Sequence, residues 1–229
     1  MDTKDLTFDH IEQHNAQYAR EVQLAKEVSR LLKTQNFPDD RIWVDLRFDY
    51  SMPDHSASSV ELINISGEVH GVAVIRFQGL FLYQDFEAMF KEVVPHELAH
   101  VLQEIKAKEN NTVISKPHEE DWQDMVEDLA PEATPSAKVK GLFDDRPIKL
   151  LKGSIATSCE CGDDDAFTVF ADTPGVSAKL HDEELTCTTC KFAYVRITDR
   201  TKWPEKVLRD MNFLEGVKAV KLHHAQLQR

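Results

Sequence analysis

The stretch that decides the fold is residues 86–105, FEAMFKEVVPHELAHVLQEI. Its apolar residues recur at i, i+3 and i+4 spacing, which predicts an amphipathic helix. Pro95 lies inside this pattern, and because proline has no backbone N–H it predicts a kink or the start of a second helix. His96 and His100 are four residues apart, which separates them by about 40° around a helix axis. Both imidazoles can therefore reach one ion.

The segment HELAH, residues 96–100, has the spacing of a metal-dependent hydrolase. On a helix, Glu97 projects near an ion held by the two histidines without binding it. There it can take a proton from the attacking water and pass it to the leaving amine. The alternative, two histidines on a purely structural helix, is weakened by the strong helical period and the β-rich region that precedes it. The pattern predicts a zinc-dependent hydrolase with Glu97 as its acid/base.

A catalytic zinc needs a third protein ligand and one open position. The metzincin pattern would place Gly at position 103 and His at position 106. Gln103 and Lys106 stand there instead, which excludes that class. The third ligand is therefore expected on the next helix, predicted to begin at Pro117, which offers His118 or Glu120.

The apolar stripe of that next helix decides between the two candidates. Residues two apart on a helix are rotated by about 200°, so His118 and Glu120 cannot both face the ion. His118 continues the stripe toward the core, whereas Glu120 and Asp124 face water. The stripe itself consists of Trp122, Met125, Val126 and Leu129. This predicts His118 as the third ligand.

The residues before this region predict a helix followed by strands. A 3.6-residue period over residues 8–35 predicts a helix with apolar positions such as Tyr18 and Leu32. Alternation over residues 42–48 predicts a half-buried strand. Two β-rich stretches follow at residues 60–65 and 72–77. Residues 80–83 are expected to extend the second of these or to form an irregular edge.

All four cysteines lie within a short C-terminal region. Cys159 and Cys161 form one close pair, and Cys187 and Cys190 form the other. Each pair can form a turn with both sulfurs directed at one ion, which gives a closed tetrahedral site with four thiolates. Four thiolates leave no open position, so this zinc would be structural. Free thiols or a redox pair are the rival interpretations.

Composition and charge limit the classes of function. The net charge is −13, which disfavours broad binding of nucleic acid by the main domain. The chain from Arg196 to Arg229 is locally basic and could still contact phosphate, although a solvated helix of mixed charge is the simpler interpretation. No apolar run approaches the length of a membrane span. The polar N-terminus leads into no signal-like apolar segment, so a cytosolic location is expected.

The three motifs in this order resemble the SprT family of zinc metalloproteases. The resemblance is carried by VVPHELAH at residues 93–100, by Pro117, His118 and Trp122, and by the two cysteine pairs. It implies an α+β fold, with a compact zincin-type (minigluzincin-like) helix–sheet–helix domain followed by a small β-rich zinc ribbon. It also implies that His96, His100 and His118 bind the catalytic zinc. Tyr83 and His70 are nearby polar candidates for stabilising an oxyanion.

The predicted organisation has four parts. Residues 1–130 form the metalloprotease domain, 131–153 a linker, 154–198 the ribbon and 199–229 a basic helix or tail. The resemblance implies an endopeptidase for DNA-associated or DNA-crosslinked proteins, with single-stranded or damaged DNA contacting the ribbon and tail, and hence a nucleoid association. Two alternatives remain open: a non-catalytic, zinc-stabilised adaptor that binds nucleic acid or protein, and a cytosolic peptidase unrelated to DNA.

Overall fold

The computed structural model describes residues 8–34, 42–50, 58–64, 71–114, 116–134, 143–161 and 166–227. It contains both helices and strands, in keeping with an α+β protein. In chain order the elements are α1 (Phe8–Thr34), β1 (Ile42–Asp49), β2 (Ser58–Asn64), β3 (Gly71–Gln78), α2 (Gly79–Gln84), α3 (Phe86–Ala88), a π-helical turn (Met89–Val93), α4 (Val94–Glu109), α5 (Glu120–Leu129), α6 (Arg146–Leu151), β4 (Ile155–Ser158), β5 (Phe167–Phe170), α7 (Pro174–His181), β6 (Val195–Arg196), a 3₁₀ turn (Arg200–Lys202) and α8 (Glu205–Leu227).

The chain divides into two compact units. One comprises residues 14–143, and the other comprises residues 144–229 together with residues 1–13. The histidine motif lies in the first unit and the four cysteines lie in the second. The stretch that sequence alone interprets as a linker, residues 131–153, contains α6.

The first unit contains a mixed three-stranded sheet in the order β1-β3-β2. The central strand β3 runs parallel to β1 and antiparallel to β2. Ala73, Ile75 and Phe77 lie on one face of β3 and are fully buried, and Val74 on the other face is only 1% exposed, as expected for a strand covered on both sides. On β1, Trp43 is 76% exposed while its neighbour Val44 is partly buried. The strand predicted at residues 42–48 is therefore confirmed, as are those predicted around residues 60–65 and 72–77, although Asp45 on the predicted exposed face is partly buried too.

Helix α1 confirms the predicted helix, but its buried face differs from the expected one. Leu24, Val28 and Leu31 are buried, whereas Tyr18 is 62% exposed and Leu32 is only partly buried. The three buried residues also follow i, i+4, i+7 spacing, so the sequence contains two overlapping apolar stripes. Packing against the rest of the unit selects the stripe of Leu24, Val28 and Leu31.

The prediction that residues 80–83 continue the sheet is wrong, because these residues lie in helix α2. The side chain of Gln78 accepts a hydrogen bond from the N–H of Leu80 at 3.0 Å and caps the helix. Asp85 ends α2 and caps the next helix, accepting from the N–H of Ala88 at 3.0 Å. Two side-chain caps within eight residues thus direct the chain into short helices where its apolar residues alone favour a strand.

Gly79 lies where a side chain cannot be accommodated. A Cβ built at this position would overlap the ring of Tyr50. That ring is held in place because the Tyr50 hydroxyl donates to Glu21 Oε1 at 2.7 Å. In addition, Gln17 Nε2 donates to the carbonyl of Gly79 at 2.9 Å.

We expect Gly79→Ala to destabilise the protein by about 1–3 kcal/mol, because either the ring or the helix must move. Thermal unfolding measures this effect. Gly175→Ala is the matched control, since Gly175 lies in helix α7 with nothing near its added Cβ. The control should be neutral or slightly stabilising, because alanine favours a helix. Equal melting temperatures for the two variants would contradict this assignment of Gly79.

Pro95 acts as the sequence predicts, by marking the start of a new helix. It lies in the first turn of α4, directly after the π-helical turn Met89–Val93. Proline cannot donate to the carbonyl four residues earlier, and a π-helical turn re-pairs the backbone on either side of that gap. Helix α4 therefore begins at Val94, two residues before His96.

The second unit contains a small antiparallel sheet in the order β5-β4-β6 and the long helix α8. A core forms between them from Ala156, Phe167, Val207 and Met211. Trp203 packs on this core from the start of α8. The interpretation of the basic C-terminal segment, Arg196 to Arg229, as a solvated helix is therefore wrong, because α8 has a buried apolar face. Among the helices that the structure describes, none combines the length and apolar character that a membrane crossing requires.

Candidate metal centres

The three histidines of the first unit converge on one point. His96 and His100 project from the first turns of α4, and His118 approaches from the loop before α5. The Nε2 atom of His100 lies 3.2 Å from Nε2 of His96 and 2.9 Å from Nε2 of His118. The remaining pair, His96 and His118, is separated by 3.4 Å. All three predicted ligands are thus brought together.

Hydrogen bonding alone cannot explain this triangle of nitrogens. In a neutral imidazole, Nε2 is either a donor or an acceptor, but not both. In a ring of three such atoms, at least two must have the same role, so one close pair is left as donor facing donor or acceptor facing acceptor. A shared cation resolves the conflict because all three nitrogens then present lone pairs.

The separations also fit zinc. Nitrogens bound at about 2.0–2.1 Å in a tetrahedral site lie about 3.3 Å apart. The observed values of 2.9, 3.2 and 3.4 Å bracket that distance. Among the described residues the cluster contains three ligands, which is the number of protein ligands usual at a catalytic zinc.

His118 reaches the cluster in a way that the sequence does not predict. The helix expected to begin at Pro117 begins instead at Glu120, so His118 lies in the preceding loop. Its backbone is in the left-handed region, with a φ of 76°. The Gln123 side chain donates to the His118 carbonyl at 3.2 Å and ties the loop to α5. The prediction that Glu120 and Asp124 face water is confirmed, since both are exposed.

Glu97 lies beside the cluster. Its Oε1 atom is 3.7 Å from Nε2 of His96, and both side chains are only 10% exposed. The carboxylate is therefore directed toward the same region as the histidine nitrogens, in a largely water-excluded environment. This is the position that an acid/base requires if it is to act on a group at the metal without binding the metal itself.

Trp122 supports all three histidines. Its ring centroid lies 4.7 Å from that of His96, 5.4 Å from that of His100 and 4.7 Å from that of His118. Trp122 is completely buried, as its place on the apolar stripe predicts. It fixes the planes of the imidazoles, which the positions of the ligands alone cannot do.

Burial sets the protonation of the two histidines on the exposed side of the cluster. Burial, followed by the charge of His118, lowers the pKa of His100 from 6.5 to about 4. Burial also lowers the pKa of His118. Both shifts favour the neutral imidazole at neutral pH, which is the form that binds metal.

Gln103 is a residue of this site whose role sequence analysis missed. It is 9% exposed, and its side chain raises the pKa of His100 against the lowering effect of burial. In the sequence it serves only to exclude the metzincin pattern. A signal was present, however, because position 103 lies one turn beyond His100 on the same helix face.

The four cysteines of the second unit form the other predicted cluster. Their sulfur atoms all lie within 4.8 Å of one another, and the four thiols are free. Sγ of Cys161 and Sγ of Cys187 are 3.7 Å apart. Sulfurs bound to zinc at about 2.3 Å in a tetrahedron are separated by about 3.8 Å. The residues therefore fit a closed four-thiolate site.

Backbone amides prepare one of these sulfurs for the thiolate form. The N–H of Thr189 points at Sγ of Cys187 at 3.4 Å. Amide bonds from Cys190 and Thr189 lower the pKa of Cys187 from 9.0 to about 6. The turn that supplies them closes at Lys191, which has a left-handed φ of 68° and donates its N–H to the Cys187 carbonyl. Neighbouring thiols, first of all Cys159, raise the pKa of Cys161.

Of the two residues suggested as oxyanion stabilisers, the structure describes only Tyr83. Tyr83 lies at the end of α2, where its carbonyl accepts from Arg20 at 3.0 Å and its ring lies 6.0 Å from the same guanidinium. His70 lies outside the described residues. The oxyanion role of either residue stays a prediction.

Comparisons of the chain with known protein families, with curated proteins and with solved structures found no match. The function must therefore be argued from the two centres themselves.

Proposed function

We propose that this protein is a zinc-dependent metalloendopeptidase of SprT type. His96, His100 and His118 hold the catalytic zinc, and Glu97 is the acid/base. The four cysteines hold a second, structural zinc. A zincin-type arrangement is supported by the order of the elements in the first unit, in which a sheet precedes the helix with the histidines and another helix follows it.

The observation that carries this proposal is the convergence of three Nε2 atoms beside a buried carboxylate. A structural metal site would be closed by a fourth ligand, and among the described residues the histidine cluster has three members. Glu97 adds a base near the open side. Ligands, open position and base together are the requirements of metal-assisted hydrolysis.

The chemistry follows from what these groups can do. Bound zinc supplies a Lewis acid that activates water and polarises the substrate carbonyl. Glu97 accepts a proton from the water as its oxygen forms a bond to the carbonyl carbon. Glu97 then gives that proton to the amide nitrogen as the C–N bond breaks. The second proton of the water also passes to the amine, so the products are a carboxylate and an ammonium group, and Glu97 returns to its starting form.

Action on DNA-associated proteins is the more specific part of the proposal. It rests on the resemblance to SprT proteases and on the basic residues at the C-terminal end of the chain. The net charge of −13 favours the alternative of a peptidase unrelated to DNA. A non-catalytic adaptor is a further alternative, and it is supported by the separate unit that contains the cysteine cluster.

Metal analysis tests whether the two centres bind zinc. We expect about two zinc ions per chain, and about one in the His96→Ala/His100→Ala variant. Removing zinc with a chelator should abolish cleavage of an unfolded protein substrate, and restoring zinc should recover it. The double variant should remain inactive after the same treatment. One zinc in the wild type, or cleavage that survives chelation, would contradict the proposal.

A further inference from the structure

The second unit contains a cavity of about 470 Å³. Residues of β4, β5 and β6 line it, together with the segment that leads from β6 into α8, and its apolar wall includes Phe167, Ile197 and Pro204. None of the four cysteines is among the described residues that line it. The volume lies within the range of about 300–1,000 Å³ that is usual for small-molecule sites.

Two cations, Arg196 and Lys202, line this cavity and are exposed. Within the described part of the chain, neither side chain forms a hydrogen bond or an ion pair. Asp199 is the carboxylate among the described lining residues, and its Oδ1 atom accepts from the N–H and the hydroxyl of Thr201 at 3.0 and 2.7 Å. The lining therefore has one positive charge in excess, which favours an anionic ligand.

Trp203 adds a hydrogen-bond donor to the lining. Its Nε1 atom is buried and has no hydrogen-bond partner among the described residues. The guanidinium carbon of Arg200 lies 5.3 Å from the centroid of the indole, and the ring centroid of Phe167 lies 6.0 Å from it. Because the ring already has these neighbours, its N–H is the group that it offers to a ligand. A buried donor is costly unless an acceptor reaches it.

We propose that this cavity binds the phosphate group of a nucleotide-sized ligand, with the phosphate at Arg196 and Lys202 and the body of the ligand against the apolar wall. A planar guanidinium can donate two parallel hydrogen bonds to a phosphate, and an ammonium adds a point charge. The indole N–H of Trp203 donates to a further ligand oxygen. A free nucleotide and a nucleotide at the end of a strand both supply this chemistry. The inference involves no residue of the histidine centre, so it does not depend on peptide-bond hydrolysis.

The test is a calorimetric titration of the full chain with adenosine monophosphate, and with adenosine as the matched ligand that lacks the phosphate. We expect the monophosphate to bind and adenosine not to bind at the same concentration. Arg196→Met removes the charge but keeps the length of the side chain, and it should weaken binding by about 10–100-fold. Asp199→Asn removes the repelling charge and should strengthen binding by about two- to fivefold. Lys218→Met, an exposed position of α8 outside the cavity lining, is the control and should leave the affinity unchanged.

Nuclear magnetic resonance shows whether the ligand reaches the indole. The indole N–H signal of Trp203, assigned with Trp203→Phe, should shift when the monophosphate is added, whereas the signals of Trp43 and Trp122 should not. Unchanged signals from all three would contradict the proposed donor.

A single-stranded oligonucleotide, with and without a terminal phosphate, tests the second source of the ligand. If only the oligonucleotide binds and Arg196→Met weakens it, the inference is supported and the phosphate belongs to a strand. Absence of binding by either ligand, or affinities that Arg196→Met leaves unchanged, would overturn the inference. Adenosine that binds as tightly as the monophosphate, or acetate that competes as well as inorganic phosphate, would overturn it too.

Discussion

Replacing Glu97 with glutamine is expected to slow peptide-bond hydrolysis by about 10²–10⁴-fold, the usual contribution of a positioned acid/base. Glutamine has almost the same size and shape as glutamate, so the buried space beside His96 stays filled. It cannot accept a proton at neutral pH, however. The variant should therefore retain about two zinc ions per chain, because Glu97 is not a ligand.

The experiment compares the wild type with Glu97→Gln on a protein crosslinked to DNA and on the same protein free in solution. Single-stranded DNA is present in one arm and absent in the other. Glu104→Gln is the matched control, because it removes the same charge from the same helix two turns away. We expect the control to cleave at the wild-type rate.

Each outcome of this comparison has a distinct meaning. Equal rates for the wild type and Glu97→Gln would contradict the proposed enzymatic role and favour the non-catalytic adaptor. Wild-type cleavage that does not depend on DNA would remove only the DNA-linked part and favour the general peptidase. Loss of zinc in Glu97→Gln would show that the carboxylate binds the metal.

The histidine centre could largely be predicted from sequence because helical geometry is regular. Four-residue spacing on α4 fixes where His96 and His100 point, and Pro95 fixes where the helix starts. His118 joins the cluster as the sequence predicts, although it does so from a loop and not from the expected helix. The apolar stripe that contains Trp122 predicts that the His118 ring lies beside His96 and His100. The left-handed backbone at His118, however, depends on contacts such as the hydrogen bond from Gln123, which no local pattern encodes.

Elsewhere, the errors come from side-chain caps and from packing, neither of which the pattern of apolar residues reveals. Residues 80–83 are apolar enough for a strand, and the caps from Gln78 and Asp85 turn the region into helix. Helix α1 contains two apolar stripes, and composition does not say which one is buried. Helix α7 lies between the cysteine pairs, within the segment expected to form a small β-rich ribbon, and Thr173 caps it by accepting from the N–H of Val176.

The core of the second unit changes what is expected of its metal. From sequence, a short ribbon with little core is expected to obtain much of its folding energy from zinc. The structure adds α8, whose Val207 and Met211 pack against Ala156 and Phe167. Part of this unit therefore has an apolar core independent of the four thiols.

Cys187→Ser is expected to remove one metal ion per chain and to unfold the cysteine loops while α8 stays folded. Cys187 is the most buried of the four cysteines and has the amide bonds that favour its thiolate. A serine hydroxyl does not ionise at neutral pH and is a poor zinc ligand. The site therefore loses one of its ligands and with it several kcal/mol of metal-binding free energy. Hydrogen exchange should show lost protection at residues 186–194 and retained protection along residues 207–220.

Thr188→Ala is the control for this experiment, because Thr188 lies in the same turn and has an exposed side chain. It should keep both metals and full protection. Two retained metals in Cys187→Ser would show that the thiols do not form a metal centre. Loss of protection along α8 as well would show that zinc stabilises the entire unit, and that the contacts of Val207 and Met211 are insufficient without it.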